Sequence, residues 1–68
     1  MIVKPNDRLI WHGQDGILKH GQLYLVWQTR DTNSEQEFTV KHKDWQMIEP
    51  IIWWKVGEPF IFLREDVA

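Results

Sequence analysis

Short runs of apolar residues, separated by turn-forming residues, follow one another along the chain. Apolar and polar positions alternate over residues 37–41, and the other runs, at residues 8–12, 23–29 and 45–49, are rich in aliphatic and aromatic residues. An alternation with a period of two is typical of strands that have one buried face. The turn signals between these runs recur at short intervals, as they do in small all-β domains. The pattern therefore predicts an all-β fold with almost no helix.

The segments between these runs carry residues that favour turns. Asp15 and Gly16 stand between two apolar runs, and this dipeptide is a strong hairpin signal. Residues 31–36 form the longest polar stretch and are expected to be a loop. Residues 43–49 could form a helix of about two turns that ends at Pro50, which is too short to be stable alone. We expect instead a single 3₁₀ turn around Lys43 and Asp44.

The C-terminal part of the chain breaks the alternation. Residues 51–54 and 60–63 are apolar at every position, and residues 56–59 between them have turn chemistry. A strand that is apolar on both faces is usually covered on both. We therefore predict a β-hairpin within residues 51–68, with one face on the rest of the domain. Its other face is expected to meet the N-terminal segment or a second chain.

The amino-acid composition limits which classes of protein this chain can belong to. The chain has 68 residues, of which five are tryptophan and none is cysteine, so we expect one domain without disulfides or thiolate metal ligands. A domain of this size buries only about 60% of its unfolded surface. Aromatic side chains, which bury roughly 150–250 Å² each, are expected to close the core. The N-terminus has neither the pattern of a signal peptide nor that of a membrane span, so we expect a cytoplasmic protein without a membrane partner.

The segments occur in a recognisable order: an opening, a glycine turn, two central strands and a closing strand, at residues 5–11, 15–17, 23–27, 37–40 and 44–50. This order resembles the SH3-like barrels of the KOW and Tudor type over residues 5–50. The resemblance implies a small five-stranded β-barrel, to which the hairpin of residues 51–68 would be an addition. Asn6 stands where those modules usually have glycine, and asparagine tolerates the left-handed conformation expected there.

Few residues carry catalytic or metal-binding chemistry. His12, His20 and His42 lack the spacing of a metal site, and Ser34 lacks the glycine elbow of a serine nucleophile. The formal net charge of −2 argues against a protein that coats nucleic acid. The sequence therefore predicts no enzymatic activity, no metal and no other cofactor.

Two binding surfaces are predicted as hypotheses. The first is the hairpin, whose aromatic side chains are typical of protein interfaces: Trp53, Trp54, Phe60 and Phe62. The second is a basic set that could contact phosphates, as barrels of the resembled type often do: Lys19, Lys41, His42 and Lys43. We expect a protein-interaction or assembly module, or a homodimer formed through the hairpin, similar to accessory proteins of prophages and bacterial operons. A KOW-like nucleic-acid-binding module is the alternative.

Overall fold

Five strands form one antiparallel sheet in the computed structural model, which describes residues 2–57 and 59–63. They are β1 (Arg8–Trp11), β2 (Leu23–Asp31), β3 (Gln36–His42), β4 (Trp54–Lys55) and β5 (Phe60–Leu63). The strand order is β4-β3-β2-β1-β5, and the described residues contain no helix. The sheet curls into a half-barrel that is compatible with a small SH3-like fold. The prediction of an all-β, small-barrel fold is confirmed.

The C-terminal hairpin is where the structure departs from the prediction. β4 pairs with β3 and β5 pairs with β1, so the two apolar runs lie at opposite edges of the sheet. They are the fourth and fifth strands of the half-barrel and not a hairpin added to it. Residues 45–49, expected to be the closing strand, contribute one isolated bridge between Met47 and Lys41. Residues 64–68 of the predicted hairpin lie outside the described part of the chain.

The inner face of the sheet is filled by alternate residues of every strand. Its buried side chains include Leu9, Tyr24, Val26, Phe38, Val40 and Phe60. The rings of Trp54 on β4 and Phe60 on β5 lie 5.4 Å apart, although these strands are at opposite edges. Phe60 also packs 5.1 Å from Phe38 and 4.9 Å from Trp11. Aromatic contacts among the described residues therefore hold the two edges of the curled sheet together.

A β-bulge bends β2. Val26 pairs with Val40 and Thr29 with Phe38, so two residues of β2 oppose the single residue Thr39. The Thr39 hydroxyl accepts a hydrogen bond of 3.1 Å from the backbone N–H of Gln28. This bond gives a partner to an amide that the bulge removes from the ladder.

The N-terminal segment closes one end of the core. The backbone N–H and C=O of buried Val3 both bond to the side-chain amide of Gln36, each at 2.8 Å. Asp7 N–H then donates to Lys4 C=O at 3.0 Å across a turn that contains Pro5 and Asn6. The φ of Asn6 is 73°, which confirms the left-handed conformation expected at that position.

Candidate functional site

The structure separates the four residues predicted to bind protein. Phe60 is buried, and Trp54 and Phe62 pack against the same core. The Trp53 ring lies elsewhere, with the guanidinium carbon of Arg30 4.1 Å from its centroid. The four side chains therefore do not form one surface. Three of them supply core packing, because their strands are part of the sheet and point these residues inward.

The outward residues of β5 are the exposed ones. Alternation turns Ile61 and Leu63 away from the core that Phe60 and Phe62 enter. Ile61 and Leu63 are 47% and 38% exposed. The surface that can meet a partner is thus the side of β5 opposite to the predicted aromatic residues.

Strand register joins these two residues to further apolar side chains. One row across β5, β1 and β2 reads Ile61, Ile10 and Leu23. The next row reads Leu63, Arg8 and Leu25, and continues to Lys41 on β3 and to Met47 through the isolated bridge. Directly opposed side chains in a sheet are close enough to touch. The two rows therefore form one continuous and mainly apolar surface on the outside of the half-barrel.

Trp45 borders this surface and has a backbone conformation that is rare for tryptophan. Its φ is 73°, in the left-handed region that bulky residues seldom occupy. Trp45 N–H donates to His42 C=O at 2.8 Å, and His42 N–H donates to Gln46 C=O at 2.9 Å. These bonds define a three-residue hairpin loop, whose last position requires the left-handed conformation. A side chain there costs about 1–2 kcal/mol relative to a right-handed backbone.

Lys41 lies beneath the Trp45 indole. Its Nζ is 3.5 Å from the ring centroid, and it donates a hydrogen bond of 3.1 Å to Asn6 Oδ1. Lys41 is only 5% exposed although its strand position points outward, whereas Trp45 is 63% exposed. A cation–π contact that is desolvated contributes about 2 kcal/mol. The indole therefore covers the lysine with one face and presents the other face to solvent.

We name the surface made by these side chains the outer apolar face. It consists of Ile10, Leu23, Leu25, Trp45, Met47, Ile61 and Leu63. Trp45, Met47, Ile61 and Leu63 are exposed, and the other three are half-buried. Leu23 and Leu25 could have been suspected from the sequence, because residues 23–27 are apolar at every position, as residues 51–54 are. The conformation of Trp45 had no such signal.

The basic set predicted to bind nucleic acid is only partly assembled. Lys41 is buried, so it is not available to a phosphate at the surface. The Tyr24 hydroxyl accepts a hydrogen bond of 2.8 Å from Lys19 N–H, and the Tyr24 and His42 rings are 5.8 Å apart. Lys19 and His42 therefore lie at the same end of the sheet, and exposed Lys43 follows His42 in the chain.

The His12 and His20 rings form a pair near β5. Their centroids are 5.5 Å apart in an edge-to-face arrangement, and His20 Nδ1 is 2.9 Å from Gly13 C=O. The described residues include no group of three or more histidine or carboxylate side chains that could hold a metal ion. Next to His12 is an open hollow of about 260 Å³, lined also by Pro59, Phe60 and Ile61. This hollow adjoins the outer apolar face at Ile61.

Comparisons with other proteins complete the description of the site. Over the described residues, the chain has no helix of the length and apolarity needed to cross a membrane. No protein-family model matches the chain, and no curated protein or solved structure matches it. The surfaces described above are therefore the basis for a functional conclusion.

Proposed function

We propose that this chain is a non-enzymatic protein-interaction or assembly module, and that the outer apolar face is its binding surface. The size of that face supports the proposal most directly. Taking roughly 200 Å² for a fully exposed large side chain, the exposed fractions of Trp45, Met47, Ile61 and Leu63 amount to roughly 400 Å². The largest apolar patch on a monomer is about 300–600 Å² and is often functional.

The make-up of the face also suits a protein partner. Aromatic residues and methionine are enriched at interfaces, and Trp45 and Met47 are exposed on this one. The aliphatic residues lie on paired strands, so their positions are fixed before a partner arrives. A pre-organised surface loses little conformational entropy on binding.

The alternative proposal is a KOW-like nucleic-acid-binding module. It is supported by the placement of Lys19, His42 and Lys43 at one end of the half-barrel. The burial of Lys41 removes one of the four expected phosphate contacts, and the formal net charge is −2. For this alternative we expect only non-specific affinity, with Kd of roughly 10⁻⁴ to 10⁻⁶ M. A cytoplasmic location remains a prediction from the N-terminal sequence, and a role as an accessory protein of a prophage or bacterial operon remains one from composition.

Site-specific photo-crosslinking in host lysate tests the proposed function. A photoreactive amino acid is placed at Ile61, on the face, or at Ile17, which lies in the β1–β2 loop. The two residues are matched in type and in exposure, at 47% and 44%. We expect discrete protein adducts at position 61 that survive nuclease treatment, and none at position 17. Equal adducts at both positions, or loss of adducts with nuclease, would count against the proposal.

A further inference from the structure

We propose that an extended segment of another protein binds along the open edge of β5 and adds one strand to the sheet. This inference rests on the proposed function, because the added segment would lie beside Ile61 and Leu63 of the outer apolar face, and it names how the partner binds. β5 pairs with β1 on one side, and no described strand pairs with it on the other. The backbone groups on that other side decide what can bind there.

The hydrogen bonds between β1 and β5 show which backbone groups point to the open edge. His12 N–H donates to Pro59 C=O at 2.9 Å, so these two residues form a hydrogen-bonded pair next to β5. Hydrogen-bonded pairs recur at every second position of an antiparallel ladder. Every second residue from Pro59 onward therefore bonds to β1. Phe60 and Phe62, which lie between those positions, direct their N–H and C=O groups away from β1.

Three of these four groups have no partner among the described residues. Phe60 N–H donates to Gly57 C=O at 2.9 Å, which leaves Phe60 C=O and both groups of Phe62. No Cα atom of β4 lies within 8 Å of a Cα atom of β5, whereas the Cα atoms of paired residues are about 4.5–5.5 Å apart. The opposite edge of the half-barrel is thus too far away to pair with the open groups of β5.

β5 also lacks the features that usually protect the edge of a sheet. Natural edge strands are often very short, or carry charged residues or proline. β4, at the opposite edge, has two residues, one of which is Lys55. β5 has four apolar residues and contains neither a charged residue nor proline. Such an edge suits strand addition, in which main-chain hydrogen bonds provide affinity.

The outer apolar face determines which side chains the added segment needs. In an antiparallel addition, the residue opposite Phe62 exchanges hydrogen bonds with it, and the two neighbours of that residue lie opposite Ile61 and Leu63. These neighbours point outward, beside two exposed aliphatic side chains. Apolar residues there would gain free energy by covering Ile61 and Leu63. The partner segment is therefore apolar at alternate positions.

The hollow next to His12 offers a place for one further side chain of the segment. It has a volume of about 260 Å³ and lies at the beginning of β5, where Pro59, Phe60 and Ile61 also line it. The residue three positions after the one opposite Phe62 would face Pro59 and hence this hollow. Pockets for alternate side chains give strand addition its specificity. We therefore expect a preferred apolar residue at that position.

A second copy of the chain satisfies the open edge less completely than another polypeptide. Because Phe60 N–H is already bonded, two β5 strands related by a two-fold axis would form only two hydrogen bonds between their described residues. A separate segment can bond to all three open groups. Each copy also carries a formal net charge of −2, which opposes association with another copy. A nucleic-acid strand lacks the alternating N–H and C=O groups that Phe62 requires.

Methylation of the Phe62 backbone nitrogen tests the inference. A chain of 68 residues can be made by chemical synthesis, and two full-length chains receive one extra methyl group each, on the backbone nitrogen of Phe62 or of Ile17. The methyl group at Phe62 removes a donor and blocks the edge, whereas Ile17 lies in the β1–β2 loop and is the control. Neither N–H bonds to another described residue. We expect both chains to keep the unfolding midpoint in urea of the unmodified chain.

Peptides selected from a displayed library of random 12-residue sequences are the probe, with the unmodified chain as bait. We expect the selected peptides to be apolar at alternate positions. They should bind the chain methylated at Phe62 about tenfold more weakly, as expected for a lost hydrogen bond, and bind the chain methylated at Ile17 equally well. Within one peptide, N-methylation should weaken binding by a similar factor at every second residue, and by less than about twofold at the residues between.

The other outcomes distinguish this inference from the proposed function. Equal binding to the two methylated chains, or N-methylated peptides without a period of two, would overturn strand addition. A lower unfolding midpoint on methylation of Phe62 would also overturn it, because the amide would then have a partner within the chain. Self-association that is lost on this methylation would assign the edge to a second copy.

The photo-crosslinking result decides how far such a failure extends. With adducts at position 61, any of these outcomes, or a selection that yields no peptide, would overturn strand addition and leave the outer apolar face as a binding surface. A selection that yields no peptide, together with no adduct at position 61, would overturn both proposals.

Discussion

Trp45 combines an unfavourable backbone with a favourable side-chain contact. The left-handed conformation penalises any residue that has a Cβ, whereas the indole gains from covering Lys41. The strain energy and the contact energy are of similar size, so the effect of a single substitution on stability does not separate them. Comparing two truncations at position 45 isolates the strain energy.

We expect Trp45→Gly to be more stable than Trp45→Ala by about 1–2 kcal/mol. Both variants lose the indole contact, and only glycine also removes the strain. Trp53, which has no positive φ, is the control position, and there alanine should be more stable than glycine by about 0.5–1 kcal/mol. Chemical denaturation of the four variants measures both orders. The same order at both positions would show that Trp45 is not strained.

Gly13 lies so close to an aromatic ring that a larger residue does not fit there. A Cβ at this position would lie 2.2 Å from the Trp11 ring, which packs against Phe60 in the core. We expect Gly13→Ala to lower the free energy of unfolding by about 1–3 kcal/mol, as overpacking typically does. Gly16, in the same loop, has open space around it and no positive φ. Gly16→Ala should leave the unfolding midpoint in urea unchanged or slightly higher.

At the scale of the elements, the bulge in β2 depends on one side-chain hydrogen bond. Thr39 is buried, and its hydroxyl serves the Gln28 amide. We expect Thr39→Val, which keeps the shape and removes the acceptor, to destabilise the fold by about 1–3 kcal/mol. Thr29→Val, on the other side of the bulge, removes a hydroxyl that accepts no such bond and should be nearly neutral. Equal losses for the two variants in thermal denaturation would assign the cost to β2 in general.

The elements also show how far the sequence alone could lead. The apolar runs at residues 8–12, 23–29 and 37–41 predicted β1, β2 and β3, and each of these strands has one face in the core. The apolar runs at residues 51–54 and 60–63 were identified as strand-forming, but their partners were not. Neighbouring runs with a turn between them favour a local hairpin, whereas here each run pairs with a strand distant in sequence. Pairing at this range is decided by how the whole sheet curls.

The site was harder to predict for the same reason. The aromatic side chains between Trp53 and Phe62 could pack in the core or bind a partner. Which of the two they do depends on which face of each strand points inward. Because β4 and β5 are the edges of the half-barrel, Trp54, Phe60 and Phe62 pack against the core. The exposed surface is instead formed by Ile61, Leu63 and their cross-strand neighbours, which no local sequence pattern links.

At the scale of the whole molecule, the distribution of charge determines how the free protein behaves. Each copy carries a formal net charge of −2, so two copies repel each other at low ionic strength, and we expect a monomer at high micromolar concentration there. Raising the salt from 0.1 to 1 M shortens the screening length from about 10 to 3 Å. Self-association through the apolar side chains should then increase. Sedimentation equilibrium at the two salt concentrations measures this, and a dimer that is stronger at low salt would contradict it.

The pairing of β1 with β5 also governs when this domain can form during its synthesis. Arg8 of the first strand lies opposite Leu63 of the last, so contacts across almost the full chain complete the sheet. Domains dominated by such distant pairings fold slowly, because chain entropy is lost before the contacts form. A nascent chain that has not yet released residues 60–63 from the ribosome lacks the Phe60 ring that joins the two edges. Until then its hydrophobic residues stay accessible to chaperones, because the sheet cannot close before residues 60–63 have left the ribosome.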